Sequence, residues 1–181
     1  GSVLLLVCVM YFLTYLDRVN VSAAAIGFGQ EFKLSHVQLG LVFSAFAYPY
    51  LIFQFVGGWA SDKYGPKKIL MLCGLIWSFS TLLMGLANGL ISLVLIRILL
   101  GIGEGATFPS ATVALSRWTP SSKRGFVQGL THSAARAGNA VAPGFVALLM
   151  NFSDWRFSFL VAAALSFIWV GFWILFFHDN P

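Results

Sequence analysis

Six long apolar runs dominate this chain and limit the folds open to it. They cover residues 3–25, 36–60, 69–87, 90–117, 126–150 and 155–177. A helix needs about 20 apolar residues to cross the hydrocarbon core of a bilayer. The runs have this length and lack the strict alternation of barrel strands. The sequence therefore predicts an all-α membrane protein built as a bundle of six transmembrane helices.

The composition agrees with a membrane protein. Hydrophobic residues make up 59% of the 181 residues and charged residues only 9%, whereas roughly a quarter of the residues in soluble domains are charged. The mean hydropathy is +0.85. We expect one domain over residues 1–181 that lies in lipid, and its net charge of +5 needs no nucleic acid as a partner.

The basic residues predict how the bundle is oriented. Most of those between the spans lie in the loops after spans two and four: Lys63, Lys67, Lys68, Arg117, Lys123 and Arg124. The opposite side has only Lys33 and Arg156. By the positive-inside rule the two basic loops are cytoplasmic, and with six spans both termini are too. The expected location is a plasma or bacterial inner membrane.

Five ionisable side chains interrupt the apolar runs and mark a candidate site. They are Asp17, Arg18, Arg97, Glu104 and Arg136. A charge at membrane depth is costly unless it faces a cavity or a partner. Three of these groups are positive and two are negative, so a cavity that they line should attract an anion.

Counting residues from the loops places these groups in depth. Asp17 lies eight residues from the outer end of span one at 25, and Arg97 lies seven from the start of span four at 90. Glu104 and Arg136 each lie 16 residues from Pro120. We therefore predict that Asp17 pairs with Arg97 and that Glu104 lies level with Arg136. Arg97 and Glu104 are about 10 Å apart along one face, which leaves room for a small carboxylate.

Two further inferences follow from these charges. Apolar surroundings favour a neutral carboxyl and a nearby cation favours the ionised form, so Asp17 and Glu104 are predicted proton sites. Arg18 is rotated about 100° from Asp17 and should face another part of the cavity if Asp17 faces span four. The alternative is that both pairs only hold the bundle together.

Other polar groups leave their roles open or argue against catalysis. Tyr15, Tyr50 and Gln54 add hydrogen-bonding groups to spans one and two, whereas His132 and Asn139 in span five are ambiguous. The sequence has no metal-ligand spacing and no nucleophile beside a base. We predict no enzyme activity, no metal and no cofactor.

Small residues predict where helices approach closely. Gly101-x-x-x-Gly105 and Gly125-x-x-x-Gly129 have the spacing that lets two helix backbones pack together in a membrane.

The loop after span two carries the most specific motif. It reads Gly58-x-x-x-Asp62-Lys63-x-Gly65-x-Lys67-Lys68. The pattern and its position resemble the signature loop of the major facilitator superfamily. That resemblance implies a gate in which Asp62 helps to close the cytoplasmic side against a partner half.

Within that superfamily the chain is similar to the anion:cation symporters. The similarity rests on Tyr15-Leu16-Asp17-Arg18, Phe43-Ser44-Ala45-Phe46, Tyr50, Gln54, Arg97 and Glu104-Gly105-x-x-Phe108-Pro109. These transporters carry sugar acids, hexuronates and related anions with protons.

The resemblance implies roles for individual residues. Asp17 would be a proton site paired with Arg97, and Glu104 a second proton site beside the substrate. Tyr15, Arg18 and Tyr50 would contact the substrate. With these we group Arg97 and Arg136 as cations of the binding site, although many members have a small or amide residue where Arg136 stands.

Members of this family have twelve spans in two six-span halves, with the substrate site between them. The chain is therefore expected to be the N-terminal half, and to need a C-terminal six-helix half or a second copy for transport. Two alternatives stay open. One is an organophosphate:phosphate antiporter, and the other is a transporter-like sensor that binds an anion without transporting it.

Overall fold

The computed structural model describes residues 2–178 and forms six helices. Their bounds are α1 Ser2–Glu31, α2 His36–Tyr64, α3 Pro66–Gly85, α4 Leu90–Trp118, α5 Arg124–Phe152 and α6 Trp155–Phe176, with a short 3-10 turn at Ser121–Lys123. The expected domain also includes Gly1 and residues 179–181, which lie outside the described residues.

Five of the six helices are long and apolar enough to cross a membrane, judged over residues 2–178. The exception is α5, which has 29 residues but a more polar composition. Its polar side chains include Gln128, His132 and Arg136. The helix still packs into the bundle as its sixth member, mainly against α1.

Each helix packs mainly against one or two of the others. α2 lies along α4, α1 lies along α5, and α3 lies between α4 and α6. Aromatic rings fill the space beside α3 and α6, where Trp77 stacks on Trp169 at 5.3 Å between ring centroids and Trp169 stacks on Trp173 at 5.4 Å. Phe177 continues this series, 4.0 Å from Trp173.

Local sequence signals explain where the helices begin and turn. Ser35 caps α2: its hydroxyl accepts from the Gln38 amide at 3.2 Å, and the Gln38 side chain accepts from the Ser35 amide at 2.8 Å. This reciprocal pair satisfies amides at the helix start. Gly65 joins α2 to α3 with a φ of 89°, a conformation that favours glycine.

The close approach predicted for span four occurs between α2 and α4. A Cβ added to Gly101 would lie 2.5 Å from Phe46 O, and one added to Gly105 would lie 2.6 Å from Tyr50 O. Gly57 is equally crowded, because a Cβ there would overlap Ala106. The prediction for span five is wrong: Gly125 and Gly129 have open space around them, since this part of α5 faces away from its neighbours.

One arginine joins the C-terminal ends of α1 and α3 to the start of α6. Arg156 pairs with Glu31 at the end of α1 and donates to Ala87 O at 2.7 Å, just beyond α3. Trp155 also donates to Glu31, at 2.8 Å. These contacts connect three helices without any of the charges in the middle of the bundle.

Candidate functional site

Arg18 and Glu104 form an ion pair across α1 and α4. Arg18 Nε donates to Glu104 Oε2 at 2.9 Å, and the Glu104 side chain is 0% exposed. Two buried atoms of the pair lack partners: Arg18 Nη2 and Glu104 Oε1. The pair therefore satisfies only part of its hydrogen-bonding capacity and has one free donor to offer.

Aromatic rings surround the Arg18 guanidinium. Its carbon lies 4.7–5.4 Å from four ring centroids, those of Tyr15, Phe46, Tyr50 and Phe108. A guanidinium over aromatic faces is attracted by the ring quadrupoles. The rings hold the cation in place, and its unpartnered Nη2 is buried among them.

Arg97, on α4, is the second cation of the site and is 5% exposed. Its Nε donates to Val42 O at 3.3 Å, and its guanidinium carbon lies 4.6 Å from the Phe46 ring centroid. Its Nη1 is buried without a partner. Because Arg18 also lies over Phe46, two guanidinium groups with unsatisfied donors share one ring.

Asp17 does not pair with Arg97, so that prediction is wrong. Asp17 is 2% exposed, and its Oδ2 accepts from Trp77 Nε1 at 2.9 Å and from Thr81 Oγ1 at 3.2 Å. The carboxyl thus points to α3. Counting residues from the loops addressed only the position of Asp17 along α1. The rotation of α1 about its axis turns Arg18, and not Asp17, toward Glu104 on α4.

Glu104 and Arg136, which were predicted to lie at the same depth, form no ion pair with each other. Glu104 pairs with Arg18, whereas Arg136 is exposed on α5. Arg136 makes no hydrogen bond and no salt bridge within residues 2–178. α5 contacts α4 only sparsely because it packs against α1, so equal depth along the hairpin does not bring the two side chains together.

A groove of about 450 Å³ opens beside the aromatic rings that surround Arg18. It is lined by Tyr11, Tyr15, Tyr50, Gln54, Phe108, Pro109, Thr112, Gln128 and His132. It contains two of the predicted substrate contacts, Tyr15 and Tyr50. The position of Tyr11 in the groove was not predicted from the sequence. The signal was present, because Tyr11, Tyr15 and Arg18 follow the four- and three-residue spacing of one helix face.

The structure places the predicted gate residues at the turn between α2 and α3. Asp62, Lys63 and Lys68 are exposed, and the Lys63 ammonium lies 5.0 Å from the Trp59 ring centroid. Lys67 lies in the first turn of α3. Gly58 has only an ordinary contact to Pro109, at 3.6 Å from an added Cβ, so the close helix approach occurs at its neighbour Gly57.

Comparison with known proteins identifies the family. A profile described as Major Facilitator Superfamily matches residues 7–181. The chain belongs to the major facilitator superfamily. Among solved structures, a bacterial homologue of the human lysosomal transporter Spinster superposes with a TM-score of 0.88 at 24% identity, over 99% of this chain and 43% of that one. The proton:xylose symporter XylE superposes with a TM-score of 0.86 at 16% identity, over 98% of this chain and 45% of that one.

Several curated superfamily relatives are transporters of organic anions by name. The probable sulfoacetate transporter SauU of Cupriavidus necator is 49% identical over 96% of this chain, and the hexuronate transporter of Bacillus subtilis is 36% identical over 93%. The probable galactarate/D-glucarate transporter GarP of Escherichia coli is 32% identical over 99%. The chain spans only 40–41% of the length of these relatives.

These findings confirm the predicted fold class. The six-helix bundle has the fold of one half of a superfamily transporter, because it covers less than half of each solved chain. They also confirm that the chain is not an enzyme, since the matching proteins are transporters.

Proposed function

We propose that this chain is the N-terminal half of a secondary active transporter that carries a small organic anion together with protons. The observation that carries the proposal is the pair of unpartnered guanidinium donors, Arg18 Nη2 and Arg97 Nη1, buried beside one ring. Buried donors without partners are costly. A carboxylate or sulfonate satisfies both with charge-assisted hydrogen bonds.

The Arg18–Glu104 contact suggests how proton and anion binding are coupled. In the absence of substrate, Glu104 neutralises Arg18 at 2.9 Å. A proton on Glu104 removes that negative charge, so Arg18 becomes free to bind the anion. When the anion leaves, the proton follows and the ion pair re-forms. Asp17 is the second proposed proton site.

The groove defines the rest of the proposed binding site. Tyr15 and Tyr50 offer hydroxyl groups along its wall, which suits the polar body of a small acid. We also propose that Arg136 reaches this groove from α5, because it lies one helical turn from the lining residue His132. Arg136 then provides a third cation for a substrate with a second anionic group.

The names of the relatives narrow the substrate class. Sulfoacetate, hexuronate and galactarate or glucarate are the anions in the names of the three relatives described above. All are small and carry carboxylate or sulfonate groups. We propose a sugar acid, hexuronate or sulfonated carboxylate of this size as the transported anion.

The complete transporter has a second half, a cytoplasmic gate and a defined orientation in the membrane. A C-terminal six-helix half forms the opposite wall of the groove, and alternating access follows from rocking of the two halves. The motif residues Gly58, Asp62, Lys63, Gly65, Lys67 and Lys68 act at the gate between the halves. The protein lies in the cell membrane with the basic loops in the cytoplasm, where the lysines meet anionic lipid.

Replacement of Glu104 by glutamine tests proton coupling. The full-length transporter is reconstituted in vesicles, with sulfoacetate and glucuronate as probes and an inward proton gradient. Wild type should accumulate one of them above its outside concentration. Glu104→Gln should lose this accumulation but retain counterflow of labelled for unlabelled substrate, because a neutral side chain still permits binding but no longer binds and releases a proton.

Other results would reject parts of the proposal. Accumulation by wild type that persists when the proton gradient is collapsed contradicts proton coupling. Obligatory exchange with phosphate that survives Glu104→Gln indicates an antiporter. Binding of the anion without any flux indicates a sensor.

A further inference from the structure

Asp17 occupies a pocket of neutral hydrogen-bond donors that faces away from the substrate groove. Trp77 and Thr81 of α3 both donate to its Oδ2, at 2.9 and 3.2 Å. The same Trp77 N–H lies 2.9 Å from Ser166 Oγ of α6. Ser166 in turn donates to Ala162 O at 2.9 Å. The carboxyl is therefore held by a network that spans three helices.

Among residues 2–178, no cation lies at hydrogen-bonding distance from Asp17. The nearest charges on α4 are Glu104, which is bound to Arg18, and Arg97, whose Nε donates to Val42 O. On α5 the candidates are His132, 5.7 Å from the Tyr11 ring, and the exposed Arg136. α3 has Lys67, Lys68 and Cys73, and α6 has Arg156, which pairs with Glu31.

A buried carboxylate without a cation is unfavourable, whereas a protonated carboxyl is an ordinary hydrogen-bonding group. Oδ2 has two donors, and Oδ1 has no partner among the described residues. With no cation beside it, Asp17 takes up a proton there without breaking an ion pair. The pocket also keeps the side chain away from Arg97, so that Arg97 Nη1 stays unpaired and available to an anion.

We propose that Trp77, Thr81 and Ser166 are positioning residues that hold Asp17, in both of its protonation states, on the α3–α6 side and so keep Arg97 free for substrate. This inference rests on the proposed proton-coupled function. The proton comes from the aqueous side and returns to water when Asp17 ionises. None of the three side chains takes it up, since each acts only through hydrogen bonds to Asp17 or to one another.

Thr81→Val in the full-length transporter is the main test. Valine keeps the shape of threonine but cannot donate to Oδ2. A donor favours the ionised carboxylate more than the neutral acid, so its loss lets Asp17 keep its proton to higher pH. The pH of half-maximal proton-driven uptake should rise by about 0.5–1 unit, while the KM at low pH stays close to wild type.

Two further variants make the result specific. Trp77→Phe should shift the profile in the same direction, because it removes the second donor but keeps an aromatic ring against Trp169. Thr14→Val is the matched control. Thr14 is as buried as Thr81, and its hydroxyl donates only within α1, to Tyr11 O at 3.1 Å, so the profile should not move.

The outcomes separate this inference from the proposed function. An unchanged pH profile in both Thr81→Val and Trp77→Phe, with normal amounts of protein in the membrane, overturns the positioning role. If Asp17→Asn still accumulates substrate on a proton gradient, Asp17 is not a proton site and that part of the proposed function fails. Loss of accumulation in Asp17→Asn together with unshifted Thr81 and Trp77 variants rejects only the inference.

Discussion

The Arg18 guanidinium combines three features that a lysine cannot reproduce together. It donates Nε to Glu104, lies over four aromatic rings and keeps Nη2 without a partner. A planar guanidinium can stack on rings and bind an acid through several N–H groups at once, whereas an ammonium is a compact point charge. The geometry of this residue, and not its charge alone, prepares the anion site.

Arg18→Lys is therefore expected to weaken anion binding about tenfold or more, since one charge-assisted hydrogen bond contributes about 1.5–3 kcal/mol. The dissociation constant for the transported anion, measured on purified full-length protein, checks this. Arg117→Lys, on the exposed end of α4, should bind like wild type. Equal affinity in Arg18→Lys and wild type would show that only the charge at this position is needed.

The individual side chains also show where sequence reasoning reached its limit. That Asp17 and Arg18 face different surroundings followed from their 100° separation, and the two acids and three cations were evident from the apolar runs around them. Which of the two faces α4 depends on how α1 is rotated. In the structure Trp77 and Thr81 donate to Asp17 while Arg18 faces Glu104, and uncharged residues in an apolar run carry no signal that they will meet a particular acid.

At the scale of helices, the contact between α2 and α4 depends on missing side chains. Gly57, Gly101 and Gly105 each lie where a Cβ would meet backbone or Cβ atoms of the facing helix. Small residues let two helices in a membrane approach closely. This close contact brings Phe46 and Tyr50 of α2 to Arg18 and Arg97, so the glycines help to build the site.

Gly57→Ala should lower the free energy of unfolding by about 1–3 kcal/mol, as expected for an overpacked contact. Thermal unfolding of the full-length protein in detergent measures the change. Gly129→Ala is the control, because nothing lies within 4 Å of an added Cβ there, and it should be neutral or stabilising. Equal midpoints for the two variants would contradict the tight α2–α4 contact.

Helices were easier to predict than the contacts between them. The length of each apolar run fixed six helices, and the turn residues near 65 and 89 separated them. The spacing of glycines predicted a close contact on α4 correctly and on α5 wrongly, because the pattern does not reveal whether a neighbour lies on that face. α5 itself is more polar than its five companions, since one side of it faces the groove.

At the scale of the whole molecule, the bundle has a groove lined in part by polar side chains and a separate apolar surface. His132 lines the groove, whereas the apolar surface between α1 and α6 includes Ile168 and Trp169. In the complete transporter we expect the groove to face water and the C-terminal half, and we expect the apolar surface to face lipid.

Thiol labelling tests this arrangement. In full-length protein with Cys8 and Cys73 replaced by serine, His132→Cys should react with a water-soluble maleimide, and saturating substrate should slow the reaction. Ile168→Cys should stay unlabelled because lipid surrounds it. Rapid labelling of Ile168→Cys together with no labelling of substrate-free His132→Cys would reverse the assignment of the two faces.

The stacked rings beside Asp17 give the protein a built-in optical reporter. Trp77 touches the carboxyl directly and belongs to a row with Trp169 and Trp173. Indole emission responds to a nearby change in charge, and closely spaced indoles exchange excitation. Titration of Asp17 should therefore alter the ultraviolet fluorescence of the unmodified transporter, so its protonation can be followed in real time without any attached dye.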